Sequence, residues 1–172
     1  MRALLLLTAF FAFSACGGGE VTPSPDQEAI FADTVDVELV VPAEKNAMAY
    51  AVGEISAPAG ARVRLVMDNT ETTSRAMIHN VVVLNTAAAI DRVGKAAAGA
   101  ADNIPEDPAI VVNTPLAGPG ERQAVVFTMP PPGRYPFICT YPGHFQYMQG
   151  VLVSTAPEAG PDEASGDDSG NE

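Results

Sequence analysis

The sequence predicts an all-β domain, a β-sandwich or barrel with one short helical insert. Two observations support this fold class: short runs in which apolar and polar residues alternate, and frequent turn-forming residues between those runs. The chain has 172 residues, including 15 glycines and 15 prolines, and its length favours a single domain. Glycine and proline at this density divide a chain into short elements, so strands joined by turns are favoured over long helices.

Eight runs of β-forming residues follow one another along the chain. They are predicted as strands over residues 35–41, 48–56, 61–67, 78–84, 109–113, 124–129, 135–139 and 151–154. In the first run, valines and Leu39 alternate with Asp36 and Glu38, which gives the strand one apolar face. The sixth run ends at Pro130-Pro131-Pro132-Gly133, which can only be a loop. Short strands bounded by glycine and proline are typical of a sandwich or barrel.

One segment departs from the strand pattern. Residues 86–101 are rich in alanine and carry Asp91, Arg92 and Lys95. Alanine has the highest helix propensity of the amino acids. The segment is therefore predicted as a short helix, or two, inserted between strands.

The N-terminus is predicted to be an export signal. Arg2 supplies a positive charge, and the apolar run Ala3–Phe13 is too short to span a bilayer. Small residues precede Cys16, a pattern that resembles the lipobox of bacterial lipoproteins. We therefore expect residues 1–16 to be a lipoprotein signal peptide ending at lipidated Cys16, which would anchor an exported, periplasmic protein to a membrane. The alternative is an ordinary signal peptide cleaved nearby, for example after Ser14.

Composition divides the rest of the chain into three parts. Residues 17–30 begin with three glycines and contain two prolines, which is typical of a flexible linker. Residues 31–155 are the predicted folded domain. Residues 156–172 hold six acids, no bases and no large apolar side chain, so this tail is predicted to be disordered.

Net charge narrows the possible partners. The chain has 21 acids and 9 bases, a formal net charge of −12, whereas nucleic-acid binding requires a basic surface. Most of the excess lies in the flanks, because residues 31–155 contain 12 acids and 8 bases. We expect no nucleic-acid partner. No feature of the sequence indicates an oligomer, so a monomer is predicted.

The chemistry of the domain depends on its rarest residues, two histidines and one cysteine. Cys139, His144 and Met148 follow the spacing Cys-x4-His-x3-Met in a loop between predicted strands, and His79 lies at the start of another strand. Two imidazoles, a thiolate and a weak thioether are the ligand set of a mononuclear type 1 copper site. Singly, each side chain is more often structural, but jointly they favour copper. Zinc also accepts nitrogen and sulfur ligands, yet a methionine ligand is foreign to zinc sites.

Two segments around these residues resemble the cupredoxins, and within that family the azurins and auracyanins. Residues 139–144, Cys-Thr-Tyr-Pro-Gly-His, are similar to the family's Cys-Thr-aromatic-Pro-Gly-His loop, and the spacing to Met148 matches as well. His79-Asn80 is similar to the His-Asn pair that opens a strand in these proteins. The resemblance covers residues 35–154 and includes the helical insert.

The resemblance implies a Greek-key sandwich of about eight strands with one copper ion near one end. It implies four ligands: His79, Cys139 and His144 in the plane, and Met148 in the axial position. It also implies hydrogen bonds that tie the two ligand segments together through Asn80 and Thr140. In azurins a glycine carbonyl before the first histidine is a distant neighbour of copper. The residue at that position here is Ile78, whose carbonyl is a possible weak axial contact.

The implied function is electron transfer and not catalysis. Cupredoxins shuttle single electrons between larger redox complexes, so the expected partners are a cytochrome c, a terminal oxidase or a quinol-oxidising complex. Electrons are expected to pass through the edge of His144, within a patch supplied by Tyr141, Pro142, Phe145 and Tyr147. A copper-storage or delivery lipoprotein is the alternative, although a closed thiolate site disfavours it. A copper oxidase or nitrite reductase requires further histidines for a second copper, and none remain.

Overall fold

The computed structural model describes residues 25–157, which contain two β-sheets and a helical insert. Helix α1 spans Pro25–Ala32. The strands follow in chain order: β1 Val37–Pro42, β2 Glu54–Pro58, β3 Arg62–Asp68, β4 Val82–Leu84, β5 Ile110–Asn113, β6 Arg122–Thr128, β7 Gly133–Ile138 and β8 Gln149–Thr155. Helix α2, Ile90–Ala96, lies between β4 and β5 and is flanked by the 3-10 turns Ala87–Ala89, Ala97–Gly99 and Ala101–Asn103. A further 3-10 turn between β7 and β8 spans His144–Gln146.

The strands form a sandwich of a three-stranded and a five-stranded sheet. The order in the smaller sheet is β1-β3-β6, and in the larger sheet it is β2-β8-β7-β4-β5. β1 pairs with β3, and β2 with β8, in parallel, whereas the other neighbours are antiparallel. The predicted all-β sandwich of about eight strands with a helical insert is confirmed.

The apolar faces of the two sheets enclose the main core. In β3 the alternating residues Val63, Leu65 and Met67 are fully buried and share a cluster with Phe137 and Leu152 from the larger sheet. Each fully buried aliphatic side chain of this kind contributes roughly 1.5–3 kcal/mol. A second cluster, which we call the insert core, joins the helical insert to the larger sheet through Val82, Leu84, Ala89, Val93, Ala109, Ile138 and Phe145.

Helix α1 corrects the predicted extent of the linker, residues 17–30. The Gln27 side chain is buried and exchanges two hydrogen bonds with the backbone of Ala124 in β6, at 3.2 Å through Nε2 and 2.7 Å through Oε1. Because β6 is an edge strand, this amide satisfies backbone groups that lack a neighbouring strand. Arg64 of β3 also donates to the Ile30 carbonyl oxygen at 3.0 Å. The chain therefore packs against the sandwich from α1 onward.

Two predicted strands begin later than expected. The run 78–84 is a strand only over Val82–Leu84, because the Val81 N–H donates to the Thr114 side chain instead of a strand neighbour. The run 48–56 enters a strand only at Glu54. The other six strands agree with the prediction to within two residues at each end, and the predicted helical segment forms α2 with its flanking turns.

No helix within residues 25–157 is long and apolar enough to cross a bilayer. The predicted signal peptide, Cys16 and nearly all of the predicted acidic tail lie outside the described residues. Their assignment remains a prediction.

Candidate metal centre

The segment that carries His79 is fixed by backbone pairing to a distant part of the chain. The His79 N–H donates to the Ala117 carbonyl at 3.1 Å, and the Ala117 N–H donates back at 2.7 Å. The buried amide of Asn69 donates to the carbonyl oxygens of Ala117 and Met77, at 3.0 and 2.9 Å. His79 is thus held on both sides although it lies outside the regular strands.

The second segment folds back on itself between β7 and β8. Gly143 has φ +85°, a left-handed conformation that glycine adopts without strain, and the His144 N–H donates to the Tyr141 carbonyl at 3.0 Å. Met148 then donates to the His144 carbonyl at 2.9 Å and accepts from the Cys139 N–H at 3.1 Å. These bonds bring the residues at both ends of the loop next to each other.

Three potential ligand atoms converge in the interior. The Nδ1 atoms of His79 and His144 are 3.2 Å apart, and they lie 3.9 and 3.6 Å from the Cys139 Sγ. In the plane of the three atoms, the point equidistant from them lies about 2.1 Å from each. For comparison, zinc lies about 2.0–2.1 Å from an imidazole nitrogen and about 2.3 Å from a thiolate sulfur. Exposure is 0% for His79 and Cys139 and 4% for His144. The triangle therefore fits one first-row metal ion, shielded from water.

Asn80 and Thr140 join the two segments directly. The Asn80 Nδ2 donates to the Thr140 Oγ1, and the Thr140 N–H donates to the Asn80 Oδ1, both at 2.8 Å. Both residues are fully buried. Because each follows a potential ligand, the paired bonds fix the separation of His79 and Cys139.

Burial also sets the protonation of the three side chains in the metal-free chain. Burial, and then the neighbouring His144, lower the pKa of His79 to about 4, and burial lowers the pKa of His144 as well. Burial raises the pKa of Cys139 to about 11, although hydrogen bonds from the backbone of Asn80 and Tyr141 oppose the shift. At neutral pH the imidazoles are therefore neutral and able to bind a cation, and the thiol gives up its proton when metal binds.

The remaining predicted residues fall into different environments. Met148 is fully buried and its backbone bonds both Cys139 and His144. The Tyr141 ring meets the His144 ring edge-on, with centroids 5.0 Å apart. Pro142 is exposed and Tyr147 is 67% exposed.

Phe145 is the one member of the predicted surface patch that the structure places elsewhere. Its side chain is only 6% exposed and belongs to the insert core. In the 3-10 turn, the Phe145 side chain points toward α2, and its ring packs against Gly94 of that helix. The structure therefore places the Phe145 side chain in the insert core and not on the surface of the predicted electron-entry patch.

Sequence reasoning missed three residues that support the site: Asn69, Ala117 and Tyr50. The Tyr50 hydroxyl donates to the Asn80 carbonyl at 2.6 Å, and its ring lies edge-on against Phe137 at 5.3 Å. In the sequence, Asn69 is only the second polar residue after the alternating run 61–67, and this position does not identify its distant partners.

Comparisons with known proteins agree with this geometry. The family model described as copper binding proteins, plastocyanin/azurin family, matches residues 37–154. Auracyanin-A of Chloroflexus aurantiacus is 33% identical over 159 residues, which cover 89% of this chain and 95% of that protein. Azurin iso-2 of Methylomonas sp. is 31% identical over 115 residues, which cover 62% and 89%. The dithionite-reduced auracyanin of Roseiflexus castenholzii superposes with a TM-score of 0.62 at 31% identity, covering 69% of this chain and 96% of the other.

The fold and the His-Cys-His group define a blue copper protein of the electron-transfer class, whose cofactor is one copper ion. The chain belongs to the plastocyanin/azurin family of copper-binding proteins. The predicted family, fold class, cofactor and electron-transfer function are therefore confirmed.

Proposed function

We propose that His79, Cys139 and His144 bind copper in one plane, that Met148 is its weak axial ligand, and that the protein shuttles single electrons at a membrane surface. The convergence of two Nδ1 atoms and one Sγ atom on a buried point carries the assignment. Bound copper supplies a one-electron change between Cu(I) and Cu(II). The Ile78 carbonyl, next to His79, stays a proposed weak axial contact.

The contribution of the polypeptide is a framework of hydrogen bonds made by the chain itself. Backbone pairing with Ala117 holds His79, the hydrogen-bonded loop holds His144, and the Asn80–Thr140 bonds link the two. Outer hydrogen bonds of this kind orient ligands and tune a metal. A framework that does not move when charge changes keeps the rearrangement between the two oxidation states small, and this favours rapid electron exchange.

The most direct route for electrons passes the edge of His144. His144 retains slight exposure while His79 has none, and Tyr141, Pro142 and Tyr147 lie on the same loop with surface exposure. These residues form the proposed contact patch for a redox partner, without Phe145. A cytochrome c, a terminal oxidase or a quinol-oxidising complex is the kind of partner expected.

We also propose that lipidated Cys16 holds the domain at the outer face of a membrane. Eight residues separate Cys16 from the start of α1, so even a fully extended connection reaches at most about 32 Å. The domain would then remain close to the bilayer and its partners. Mass spectrometry of the purified protein should show acylation, and Cys16→Ser should release the protein from membranes. A cleaved but unacylated N-terminus would contradict the anchor.

The copper assignment is tested with the chain from residue 17 onward. Addition of Cu(II) should produce an intense blue thiolate-to-copper band and a reversible one-electron wave in voltammetry, and both should be absent in Cys139→Ser. A pale complex in the unaltered chain would show that the three atoms do not bind copper as proposed.

Metal exchange distinguishes the shuttle from the alternative, a copper-storage or delivery protein. A buried site held by paired hydrogen bonds should release copper slowly to a weak chelator. Release on the timescale of mixing would favour delivery and would overturn the shuttle.

A further inference from the structure

The helical insert makes a close contact with the loop that carries His144. Gly94 lies inside α2 and is buried. A Cβ atom built at this position would overlap three carbons of the Phe145 ring. Glycine is a poorer helix former than alanine, so a glycine in mid-helix is best explained by this contact, in which the ring lies directly against the helix backbone.

Phe145 transmits this contact to His144. The two residues are adjacent in the 3-10 turn His144–Gln146. On the side of β8, the Gln149 side chain donates to the Phe145 carbonyl at 2.8 Å. The turn is therefore held between the sheet and α2, and the His144 ring projects from it toward Cys139.

We propose that Gly94 and Phe145 are positioning residues: α2 acts as a rigid stop against Phe145 and thereby sets the position of the His144 imidazole. The inference rests on the proposed role of His144 as a ligand. Protein interiors are close-packed and transmit displacement. The His144 Nδ1 lies 3.6 Å from the Cys139 Sγ and 3.2 Å from the His79 Nδ1. Displacement of the turn by a few tenths of an ångström therefore changes both distances.

The test compares alanine substitutions at two glycines of the same insert. Gly94→Ala adds a methyl group that overlaps the Phe145 ring. A Cβ at Gly99, in the turn Ala97–Gly99, meets nothing within 4 Å. In copper-loaded protein, Gly94→Ala should shift the thiolate-to-copper band, the copper hyperfine splitting in electron paramagnetic resonance, and the reduction potential. Gly99→Ala should match the unaltered chain in all three.

Metal-free protein provides a second readout that does not depend on copper. Gly94→Ala should displace the NMR resonances of the His144 ring, and Gly99→Ala should not. An unaltered chain without a blue band would contradict the proposed function, and the NMR comparison would still decide whether α2 positions His144. A Gly94→Ala protein that is less stable but has unchanged spectra, potential and His144 resonances would overturn the inference.

Two further variants test the same contact: Gly94→Ala combined with Phe145→Leu, and Phe145→Leu alone. Adding Phe145→Leu to Gly94→Ala provides room for the new methyl group, so the band should move back toward its original position. If Gly94→Ala does not fold, Phe145→Leu alone serves, because it removes the contact without adding bulk. It should shift the His144 resonances and the potential, and an unchanged site in this variant would also overturn the inference.

Discussion

Asn80 is the residue whose loss should most weaken the framework without removing a ligand. It accepts from the Thr140 N–H and donates to the Thr140 hydroxyl, both at 2.8 Å in a fully buried setting. Asn80→Ala would leave these groups buried and unsatisfied. We expect a loss of about 2–3 kcal/mol in the free energy of unfolding of the metal-free protein, together with a weaker blue band after copper loading.

Denaturant titration and the visible spectrum check this prediction. Asn85→Ala is a suitable control, since Asn85 is exposed and its side-chain amide donates to the Pro108 carbonyl at 3.4 Å. It should change stability by less than about 0.5 kcal/mol. Equal effects of the two substitutions would mean that the Asn80–Thr140 pair has no special part in the site.

Tyr50 should make stability sensitive to alkaline pH. Burial, and secondarily the Cys139 thiol, raise its pKa well above the usual value, and its hydroxyl donates to the Asn80 carbonyl. The folded state therefore favours the neutral phenol. The stabilisation from this preference is present below the unfolded-state pKa of about 10 and is lost as pH rises above it.

Urea unfolding of the metal-free protein below and above that pH tests the Tyr50 prediction. Tyr50→Phe should be less stable at pH 8, by about 1–3 kcal/mol for the lost hydrogen bond, but should lose less stability at higher pH. Tyr147→Phe, at a position with 67% exposure, should retain the original pH profile. A Tyr50→Phe profile parallel to the original would contradict the assignment.

Individual residues were predictable where composition left few choices. With two histidines and one cysteine in the domain, the His79, Cys139 and His144 group followed from the sequence, and the structure brings these residues together. The contacts of Asn69 and Tyr50 were not predictable, because each partner lies far away in sequence or on another element. Hydrophobicity likewise did not show which apolar residues of the ligand loop face α2.

At the scale of elements, strands were predicted well wherever one face is buried. Alternation in β3 gave its bounds to within one residue because Val63, Leu65 and Met67 all enter the core. Alternation failed before β4, where the Thr114 side chain replaces a strand neighbour. An apolar pattern indicates which side chains are buried. It does not indicate whether the backbone groups form hydrogen bonds with a neighbouring strand or with a side chain.

Helix α1 was missed because its first residues continue a glycine- and proline-rich stretch. The sequence nevertheless contains a helix-start pattern, Ser24-Pro25-Asp26-Gln27, in which proline suits the first helical position and Ser-x-x-Gln has the form of a capping box. Composition over a longer window concealed this local signal. The more useful observation is what α1 does, since Gln27 completes the hydrogen bonding of an edge strand.

Gln27→Ala should therefore detach α1 from β6. The backbone of Ala124, which is 1% exposed, would lose a donor and an acceptor. We expect a loss of about 1–3 kcal/mol in the free energy of unfolding and faster hydrogen exchange at Ala124. Glu28→Ala, on the exposed side of the same helix, should leave both quantities nearly unchanged. Unaltered exchange at Ala124 in Gln27→Ala would show that α1 does not protect the edge of the sheet.

For the whole molecule, the central question is whether copper organises the fold or enters a fold that already exists. The chain has a core between its sheets, a second core under the insert, and ligand segments held by hydrogen bonds of the chain itself. This differs from small zinc domains, in which metal binding supplies the folding free energy. We therefore expect the sandwich to fold without copper and the site to be held mainly by contacts of the chain itself.

Removal of copper should therefore lower stability without unfolding the protein. Binding to the folded state alone adds about 4 kcal/mol to the free energy of unfolding when free copper is 1,000 times the dissociation constant. Urea titrations should show this difference between the copper-loaded and metal-free chains, and Cys139→Ser should lose most of it. Hydrogen exchange should slow around His79 and residues 139–148 on loading, while protection in β3 and β6 of the metal-free chain stays high. Loss of protection throughout the metal-free chain would instead show that copper is required for folding.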